Sequence, residues 1–415
     1  MAVCIFSLLY AWTLYNIPVL AAGVKRLLRG GRGGAELPTP ERLPTVSIIV
    51  PVKDEENVVG RLLDAFLRVD YPPEKMEVIV VEDGSTDKTV QVCMEYVERY
   101  PGRVKLVHKP TSNGKPSALN FGLKHARGEV VGVFDADSLP EPDILKKVAA
   151  YFEGLKVEAL QGRTMSINAD ENMLTKLISY EDAVRYEAYI GGKDALSLFV
   201  PLTGSCYFVR RSLLLDVGGW NDNCLSEDME LAAKLLERGV KIKYAADVRC
   251  WQENPSKLKT LFRQRVRWYR GSMEAALKYG RLLKKPDRRS IDAELTLAGP
   301  FMFIPCLLGY LLGAYSLISP PSPGSAFVVF AQLFTLANTA TLLLIGATLS
   351  YAVKPRRKAN MLWAPFVYAY WMFQTAVAVY AFGQILLKRP IKWEKTEKTG
   401  AVVAACHHAS SRRLV

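Results

Sequence analysis

The sequence predicts an α/β domain on a mostly parallel sheet, joined to transmembrane and interfacial helices. Between residues 45 and 150, short apolar runs alternate with segments of helical periodicity, which is the pattern of a doubly wound sheet. Three runs without charged residues, 1–24, 295–353 and 359–387, flank the more polar part of the chain. A charge-free run of 59 residues cannot form a helix with a charged face toward water, so a purely soluble protein is not expected.

The elements follow in order along the chain. Predicted strands lie at 46–50, 78–81, 104–107 and 130–134, with helices at 56–69, from Thr86 or Asp87 to Arg99, and at 115–126. Beyond residue 150 we expect strands near 157–166 and 204–209 and helices near 171–190, 211–217 and 227–238. Residues 256–284 form a basic helical segment.

The apolar runs predict the membrane organisation. Residues 1–24 indicate an anchor followed by a linker over 25–44, because positive charges come after the run; a cleaved signal peptide is the alternative. Residues 291–353 predict two transmembrane helices divided at Pro320–Gly324, since each half can cross ~30 Å of hydrocarbon. Segment 354–388, rich in aromatic residues, predicts a helix at the membrane interface, or alternatively a further span.

Positive charge follows each of these apolar runs. The 54 Lys and Arg residues exceed the 41 Asp and Glu residues, giving a net charge of +13. This distribution is the positive-inside pattern of a multi-pass cell-membrane protein with its polar domain in the cytosol, and it requires no nucleic acid. The seven cysteines are scattered without zinc-like spacing, so reduced thiols are expected.

Acidic clusters follow three of the predicted strands: Asp54-Glu55-Glu56, Glu82-Asp83 and Asp135-Ala136-Asp137. Ligands of doubly wound sheets bind at the carboxyl ends of strands. Two carboxylates spaced as Asp135 and Asp137 can hold a hard divalent cation, which would neutralise a diphosphate leaving group. Taken alone, the tripeptide is better explained by a solvated pair of acids between a strand and a loop.

The basic segment carries Gln264, Arg267 and Trp268 at positions i, i+3 and i+4, on one helix face. An aromatic plane can stack on a sugar, and an Arg fork can stabilise a departing diphosphate. An amphipathic helix with its cations facing lipid headgroups is the alternative.

Six motifs in order resemble those of the membrane-integrated family 2 glycosyltransferases, the group of cellulose, chitin and hyaluronan synthases. They are the Asp54 cluster, Glu82-Asp83-Gly-Ser-Thr-Asp87, Asn113-Gly-Lys115, Asp135-Ala-Asp137, Ser226-Glu-Asp228 and Gln264-Arg-Val-Arg267-Trp268. The resemblance covers about residues 44–285. It implies a cytosolic GT-A-like domain that binds a nucleotide sugar over 45–255, interfacial helices over 256–290, and a tail over 389–415 that resembles a gating loop.

The same resemblance implies roles for individual residues. The nucleotide would be bound by Asp54, Asp83, Lys115, Asp135, Thr396 and Lys398. Asp135 and Asp137 would hold Mg²⁺ or Mn²⁺. Asp228 would be the general base, with Gln264, Arg267 and Trp268 completing catalysis and Gly204, Ser205 and Trp268 facing the acceptor. For the Ser226–Asp228 motif, a simple helix start with Ser226 as the N-cap is the alternative, and both can hold.

The expected activity is metal-dependent, inverting transfer from a nucleotide sugar, UDP-linked by the resemblance, to a growing β-linked polysaccharide. Single transfer to a lipid acceptor is the alternative. A transporter is disfavoured because the apolar runs contain no charged residue to line an ion pathway. A homo-oligomer or an accessory subunit is a further expectation, because few membrane segments are available to form a pore.

Overall fold

The computed structural model describes residues 2–30, 37–279 and 287–390, together with 398 and 400. These residues form two compact units. One unit comprises the described parts of Leu37–Ser179, Pro201–Thr260 and Lys395–Val415, and it contains the sheet. The other comprises the described parts of Met1–Glu36, Tyr180–Val200 and Leu261–Glu394, and it is helical.

The sheet contains eight strands within the described residues, in the order β3-β2-β1-β4-β7-β6-β8-β5. Their bounds are β1 (Val46–Val52), β2 (Met76–Glu82), β3 (Val104–His108), β4 (Val130–Val133), β5 (Leu139–Pro140), β6 (Ala159–Ser166), β7 (Tyr207–Arg210) and β8 (Ile242–Gln252). Strands β1 to β4 pair in parallel, as predicted. Strand β7 runs antiparallel to β4 and β6, β6 is parallel to β8, and β5 is antiparallel to β8.

Six helices complete the sheet unit: α2 (Val59–Leu67), α3 (Thr89–Arg99), α4 (Lys115–His125), α5 (Ile144–Ala149), α8 (Arg211–Asp216) and α9 (Glu227–Glu237). A 3₁₀ turn at Pro73–Lys75 and a π turn at Ala150–Gly154 also belong to it. Strand β8, the longest, is absent from the sequence prediction. Its irregular alternation of buried and half-exposed positions includes Lys243, Asp247 and Arg249, so the apolar signal is broken.

The core of the sheet unit surrounds β1 and β4. Ile48, Val50 and Phe208 are completely buried there. Gly132 in β4 allows these side chains to approach the strand, since a Cβ at this position would lie 2.7 Å from the Phe208 ring and 2.8 Å from Ile48. The Phe208 ring also packs edge-on against Phe134, with centroids 5.6 Å apart, so it has little room to move.

In the helical unit, α6 (Met173–Ala183) is followed directly by a π-helical segment, Val184–Ile190, and then by α7 (Gly191–Ala195). The other helices are α1 (Ala2–Leu28), α10 (Leu258–Tyr279), α11 (Arg288–Ala298), α12 (Phe303–Ile318), α13 (Ala326–Ala352) and α14 (Ala364–Leu386), with 3₁₀ turns at Gly299–Met302 and Lys358–Trp363. Helices α6 and α10 each have residues in both units. The N-terminal helix is longer than the predicted 1–24, because it continues four residues into the expected linker.

Three helical runs in the described chain have the length and apolar composition needed to cross a membrane: Ala2–Leu28, Arg288–Ile318 and Ala326–Ala352. The 23-residue α14 is not one of them. The helix predicted in segment 354–388 is present as α14, and its placement at the interface stays a prediction.

The two units divide the chain differently from the predicted domains. Residues Tyr180–Val200, expected inside a continuous 45–255 catalytic domain, cluster with α1 and the later helices, and the domain bounds themselves stay a prediction. The physical reason is a set of close contacts. Lys193 is buried against Asp292 of α11 at 2.8 Å, and Gly192 allows the backbone to pack directly on Val19 of α1. Such long-range partners leave no mark on local periodicity.

We predict that Gly132→Ala destabilises the sheet unit by about 1–3 kcal/mol, because the added methyl forces Phe208 or the strand to shift. Thermal unfolding of the purified protein in detergent measures the change. Gly313→Ala in α12 is the matched control, since no atom lies within 4 Å of the Cβ it would add. Equal losses of stability in both variants would contradict this account of the core.

Candidate active site

Asp54 and Asp83 follow neighbouring parallel strands and lie at the same edge of the sheet. Asp54 has a left-handed backbone (φ 53°), and its Oδ1 accepts hydrogen bonds from the Thr86 N–H at 2.6 Å and the Thr86 hydroxyl at 3.1 Å. Asp83 is buried, and its Oδ1 accepts a bond from Lys109 Nζ at 3.1 Å. Both carboxylates are therefore held in place by the loops that follow the strands.

Three donors converge on the Asp83 carboxylate. In addition to Lys109, Ser112 Oγ donates to Oδ2 at 3.2 Å and the Gly114 N–H donates at 3.1 Å. The preceding residue, Glu82, is turned differently: it is buried, 2.6 Å from His108 Nδ1, and accepts a bond from the Ser85 N–H. The two acids therefore have different partners: Glu82 bonds Ser85 and His108, whereas Asp83 bonds Lys109, Ser112 and Gly114.

Lys115, the first residue of α4, lies at the centre of the acidic edge. Its Nζ donates to Asp135 Oδ1 at 2.7 Å and to the Gly204 carbonyl at 2.9 Å, and lies 3.2 Å from Glu227 Oε1. Burial by itself would lower the pKa of Lys115, but the charges of Asp135, Glu227 and Asp228 outweigh burial and raise that pKa. The ammonium is therefore charged and links three segments that are distant in sequence.

Asp135 and Asp137 follow β4. Burial would raise the pKa of Asp135, but the neighbouring Lys115 ammonium outweighs it and holds that pKa below its usual value. Asp135 Oδ2 accepts a bond from Gln252 Nε2 at 3.2 Å. Asp137 is buried, and its Oδ2 accepts a bond from the Glu253 N–H at 3.2 Å.

Gln252 and Glu253 were missed in the sequence analysis. They stand at the end of β8, the strand that was not predicted, and their side chain and backbone orient both acids of the Asp135–Asp137 pair. The only sequence signal is the change from Val248-Arg-Cys-Trp251 to the polar run Gln252-Glu253-Asn254.

Lys398 reaches the same pair from the C-terminal part of the chain. Its Nζ lies 2.6 Å from Asp137 Oδ2 and donates to the Glu253 carbonyl at 2.6 Å. Burial lowers the pKa of Lys398, but the Asp137 carboxylate outweighs burial and raises that pKa. Thr396, the other residue predicted in this tail, lies outside the described residues.

Asp228 lies in the first turn of α9, beside the glycine of the Thr203–Cys206 loop. Gly204 has φ +79°, and a Cβ there would lie 3.4 Å from Asp228 Oδ2 and 3.6 Å from Lys115 Nζ. The backbone conformation therefore favours glycine here, whereas a Cβ would make only ordinary contacts with the two neighbouring groups. Ser226 occupies the N-cap position, but its side chain makes no capping hydrogen bond, so helix capping alone does not explain the motif.

Ser205, predicted to face the acceptor, is buried and supports the loop after β4. Its Oγ accepts a bond from the Asp135 N–H at 3.1 Å and lies 2.9 Å from Ser138 Oγ. Gln161 holds the Thr203–Cys206 loop, because its Oε1 accepts a bond from the Thr203 N–H at 2.9 Å. An acceptor role for Ser205 and Gly204 stays a prediction, and the side-chain hydroxyl of Ser205 contacts Asp135 and Ser138.

Gln264, Arg267 and Trp268 lie on α10 in the helical unit, all half-buried. The Trp268 ring has the Arg265 guanidinium 4.3 Å from its centroid and that of Arg185 at 5.7 Å. The helical spacing predicted for the motif is confirmed.

Two comparisons of sequence identify the family. The profile of the family described as "Glycosyltransferase like family 2" matches residues 44–271, more than half of the chain. A probable glycosyltransferase of Bacillus subtilis, YdaM, is 31% identical over 298 residues, or 70% of each protein. The chain belongs to glycosyltransferase family 2. It is therefore a glycosyltransferase, and the matched range contains all six sequence motifs.

Other relatives of this glycosyltransferase differ in the products their names describe. A β-monoglucosyldiacylglycerol synthase of Synechocystis is 30% identical over 309 residues, 73% of this chain and 61% of that protein. A poly-β-1,6-N-acetyl-D-glucosamine synthase of Staphylococcus epidermidis is 25% identical over 367 residues, 84% and 85% of the two proteins.

Among solved structures, the mannosyltransferase PcManGT of Pyrobaculum calidifontis, in complex with GDP-Man and Mn²⁺, superposes with a TM-score of 0.64 at 24% identity. The superposition covers 94% of this chain and all of that one. It confirms the GT-A-like fold.

We predict that Ser205→Ala destabilises the sheet unit by about 1–3 kcal/mol, because it removes the acceptor of a buried N–H. Transferase activity falls in parallel, since Asp135 loses its backbone support. Ser112→Ala, at an exposed serine that also bonds an aspartate, is the control and should change stability by less, because water replaces its hydroxyl. Equal stability of wild type and Ser205→Ala would show that the Asp135 loop is held otherwise.

Proposed function

We propose that this glycosyltransferase moves a sugar from a nucleotide diphosphate donor to a growing β-linked polysaccharide, with inversion at the anomeric carbon. The observation that supports the proposal is the surroundings of Lys115, whose ammonium bonds Asp135 and lies near Glu227 and the charge of Asp228. The proposed donor-side acid and the proposed base are therefore close to the same cation. Asp54 and Asp83, at the ends of adjacent strands, would bind the nucleoside.

The first chemical requirement is to remove a proton from the acceptor hydroxyl as it attacks the anomeric carbon. Asp228 is our candidate for this base, because it stands at the start of α9 beside the open Gly204 position. A single carboxylate suffices for one in-line displacement, in which the new glycosidic bond forms as the bond to the diphosphate breaks. The displacement converts an α-linked donor into a β-linked product.

The second requirement is to stabilise the departing diphosphate. We assign this to the cationic groups Lys115 and Arg267 and to a divalent cation. When bound, Mg²⁺ or Mn²⁺ would act as a Lewis acid that neutralises the charge on the phosphate oxygens. Trp268 would stack on the acceptor sugar, and Gln264 would support it from the same helix face.

The residues present fit a divalent cation. Asp137 is buried, and in the structure the Lys398 ammonium lies 2.6 Å from its carboxylate, so a positive charge already stands at this position. Within the described residues no group of three or more His, Cys, Asp or Glu side chains forms a complete metal site. This agrees with a cation held by one or two carboxylates and completed by substrate phosphates and water.

We further propose that the catalytic unit faces the cytosol of a multi-pass membrane protein. The basic residues after each apolar run support this orientation by the positive-inside rule. With three crossings and the N-terminus outside, the C-terminus lies in the cytosol, on the side where Lys398 reaches Asp137.

Transfer of one sugar to a lipid acceptor is the second candidate. It is supported by the relatives of 30–33% identity whose names describe glucosyldiacylglycerol synthesis. The polysaccharide proposal is supported by the relative that aligns over the larger share of both chains. Incubation of the enzyme in membranes with radiolabelled nucleotide sugar separates them: a ladder of water-soluble polymer supports the first, and one organic-soluble product overturns it in favour of the second.

We predict that Asp228→Asn lowers transfer by ~10²–10⁴-fold or more, because the proton loses its acceptor. Affinity for the nucleotide stays near the wild-type value, as measured by calorimetric titration with the nucleoside diphosphate. The control is Glu237→Gln, at the exposed end of the same helix. If donor affinity falls together with activity, Asp228 is a donor ligand and the base must be sought elsewhere.

The cation site predicts opposite effects of two variants on Mn²⁺ binding without nucleotide, followed by electron paramagnetic resonance. Asp137→Asn weakens binding, because a ligand is lost. Lys398→Met strengthens it by about 5-fold or more, because the competing ammonium is removed. Asp70→Asn, in an exposed ion pair with Lys146, is the control and leaves Mn²⁺ affinity unchanged. Weaker binding in Lys398→Met would mean that the lysine supports the site and does not compete for it.

A further inference from the structure

A closed polar network joins three segments of the helical unit. On α10, Arg265 and Tyr269 are one turn apart, and on α14 so are Tyr370 and Gln374. The Arg265 guanidinium lies 2.5 Å from Glu181 Oε2, which also accepts a bond from the Tyr370 hydroxyl at 3.2 Å. Gln374 Nε2 donates to Glu181 Oε1 at 2.8 Å, and Gln374 Oε1 accepts from the Tyr269 hydroxyl. Both oxygens of Glu181 are thus bonded.

The network is buried although α14 is otherwise apolar. Arg265, Tyr370 and Gln374 are 4%, 6% and 0% exposed. Removing one partner of a buried ion pair leaves an uncompensated charge, so the Arg265–Glu181 pair strongly disfavours arrangements in which the two side chains are apart. Around the network, Val266 of α10 packs with Val377 and Ala381 of α14. Helix α14 therefore contacts α10 through a specific polar face.

The arginine at the centre of this network also faces the tryptophan of the catalytic motif. Its guanidinium carbon is 4.3 Å from the centroid of the Trp268 ring, closer than that of Arg185 at 5.7 Å. A guanidinium above an indole is attracted to the ring face and limits its rotation. Because Glu181 holds the guanidinium from the other side, the position of the indole depends on contacts made by α6 and α14.

We propose that Arg265, Glu181 and Gln374 are positioning residues for Trp268, so that α14 sets the orientation of the aromatic platform for the acceptor sugar. The proposal rests on the function proposed above for Trp268. It assigns Arg265 a role different from that of Arg267, although the two lie in one five-residue motif. Arg267 acts on the leaving group, whereas Arg265 acts only through the indole.

The test is a double-mutant cycle between Arg265→Lys and Trp268→Phe. The lysine keeps the charge near Glu181 but loses the planar guanidinium that stacks on the ring and bonds in a fork. We expect Arg265→Lys to raise the KM for the acceptor by about tenfold, while the KM for the donor and the slow hydrolysis of donor in water change by less than about twofold. In the Trp268→Phe background the same substitution should cause little further loss.

One control and a second test variant complete the design. Arg263→Lys makes the same substitution at an exposed position of α10 and should leave the acceptor KM unchanged. Glu181→Gln keeps the shape of the acid and removes its charge, and should reproduce the acceptor defect of Arg265→Lys. The fluorescence of the Trp268 indole is obtained by subtracting the spectrum of a protein that carries Trp268→Phe from the spectrum of the same protein with Trp268. We expect this difference spectrum to change in both Arg265→Lys and Glu181→Gln.

The outcomes are distinct. If Arg265→Lys lowers acceptor and donor use alike, or if its effect is undiminished in Trp268→Phe, Arg265 is a structural residue and the positioning proposal is wrong. If Trp268→Phe itself leaves the acceptor KM unchanged while the fluorescence difference responds to Arg265→Lys, the positioning contact stands and the acceptor role of Trp268 fails. Unchanged fluorescence in Arg265→Lys and Glu181→Gln overturns the inference directly.

Discussion

Carboxylates from three separate segments crowd at the carboxyl edge of the sheet, where Coulomb repulsion opposes their approach. The ammonium of Lys115 offsets that repulsion from within, bonding Asp135 at 2.7 Å and lying 3.2 Å from Glu227. Because its third contact is the Gly204 carbonyl, the same group also holds the loop that shapes the opening beside Asp228. Lys115 therefore holds together the segment after β4, the start of α9 and the loop at Gly204.

A similar rule governs the helical unit, in which apolar helices are held by buried ion pairs. Hydrophobic burial between helices is not directional, whereas removing one partner of a buried pair leaves an uncompensated charge and costs about 3–5 kcal/mol. Such pairs therefore select one arrangement among many similar apolar packings. The pairs with least exposed side chains in the described helical unit are Lys193–Asp292, Arg265–Glu181 and Arg26–Glu187.

The C-terminal residues add a cation to the other side of the acidic edge. Lys398 bonds the Glu253 carbonyl and lies beside Asp137, while the Gly400 N–H donates to Glu253 Oε2 at 3.2 Å. The acidic edge is thus charge-compensated from α4 and from the tail at once. In the cation site proposed above, a metal ion held by Asp137 would compete with Lys398 for the same carboxylate.

Much of this protein follows from local patterns in its sequence. Strands β1 to β4, helices α2 to α4 and the three membrane-type runs were predicted because each has an apolar period that its own residues create. The acids after β1, β2 and β4 were predicted as site residues for the same reason, since parallel strands bring their carboxyl ends to one edge. The motif order then indicated the family, which the comparisons confirmed.

Other features depend on contacts between residues far apart in the chain, which no local period records. Strand β8 was missed because its stabilisation comes from pairing with β6, and with it Gln252 and Glu253 were missed. The grouping of 180–200 with the later helices depends on the contact between Lys193 and Asp292, which are 99 positions apart in the chain. Likewise, Arg265 was an unremarked residue between Gln264 and Arg267 until folding placed Glu181 and Gln374 around it. Which charged side chains pair depends on their distance in three dimensions. For that reason these pairs could be identified only in the tertiary structure.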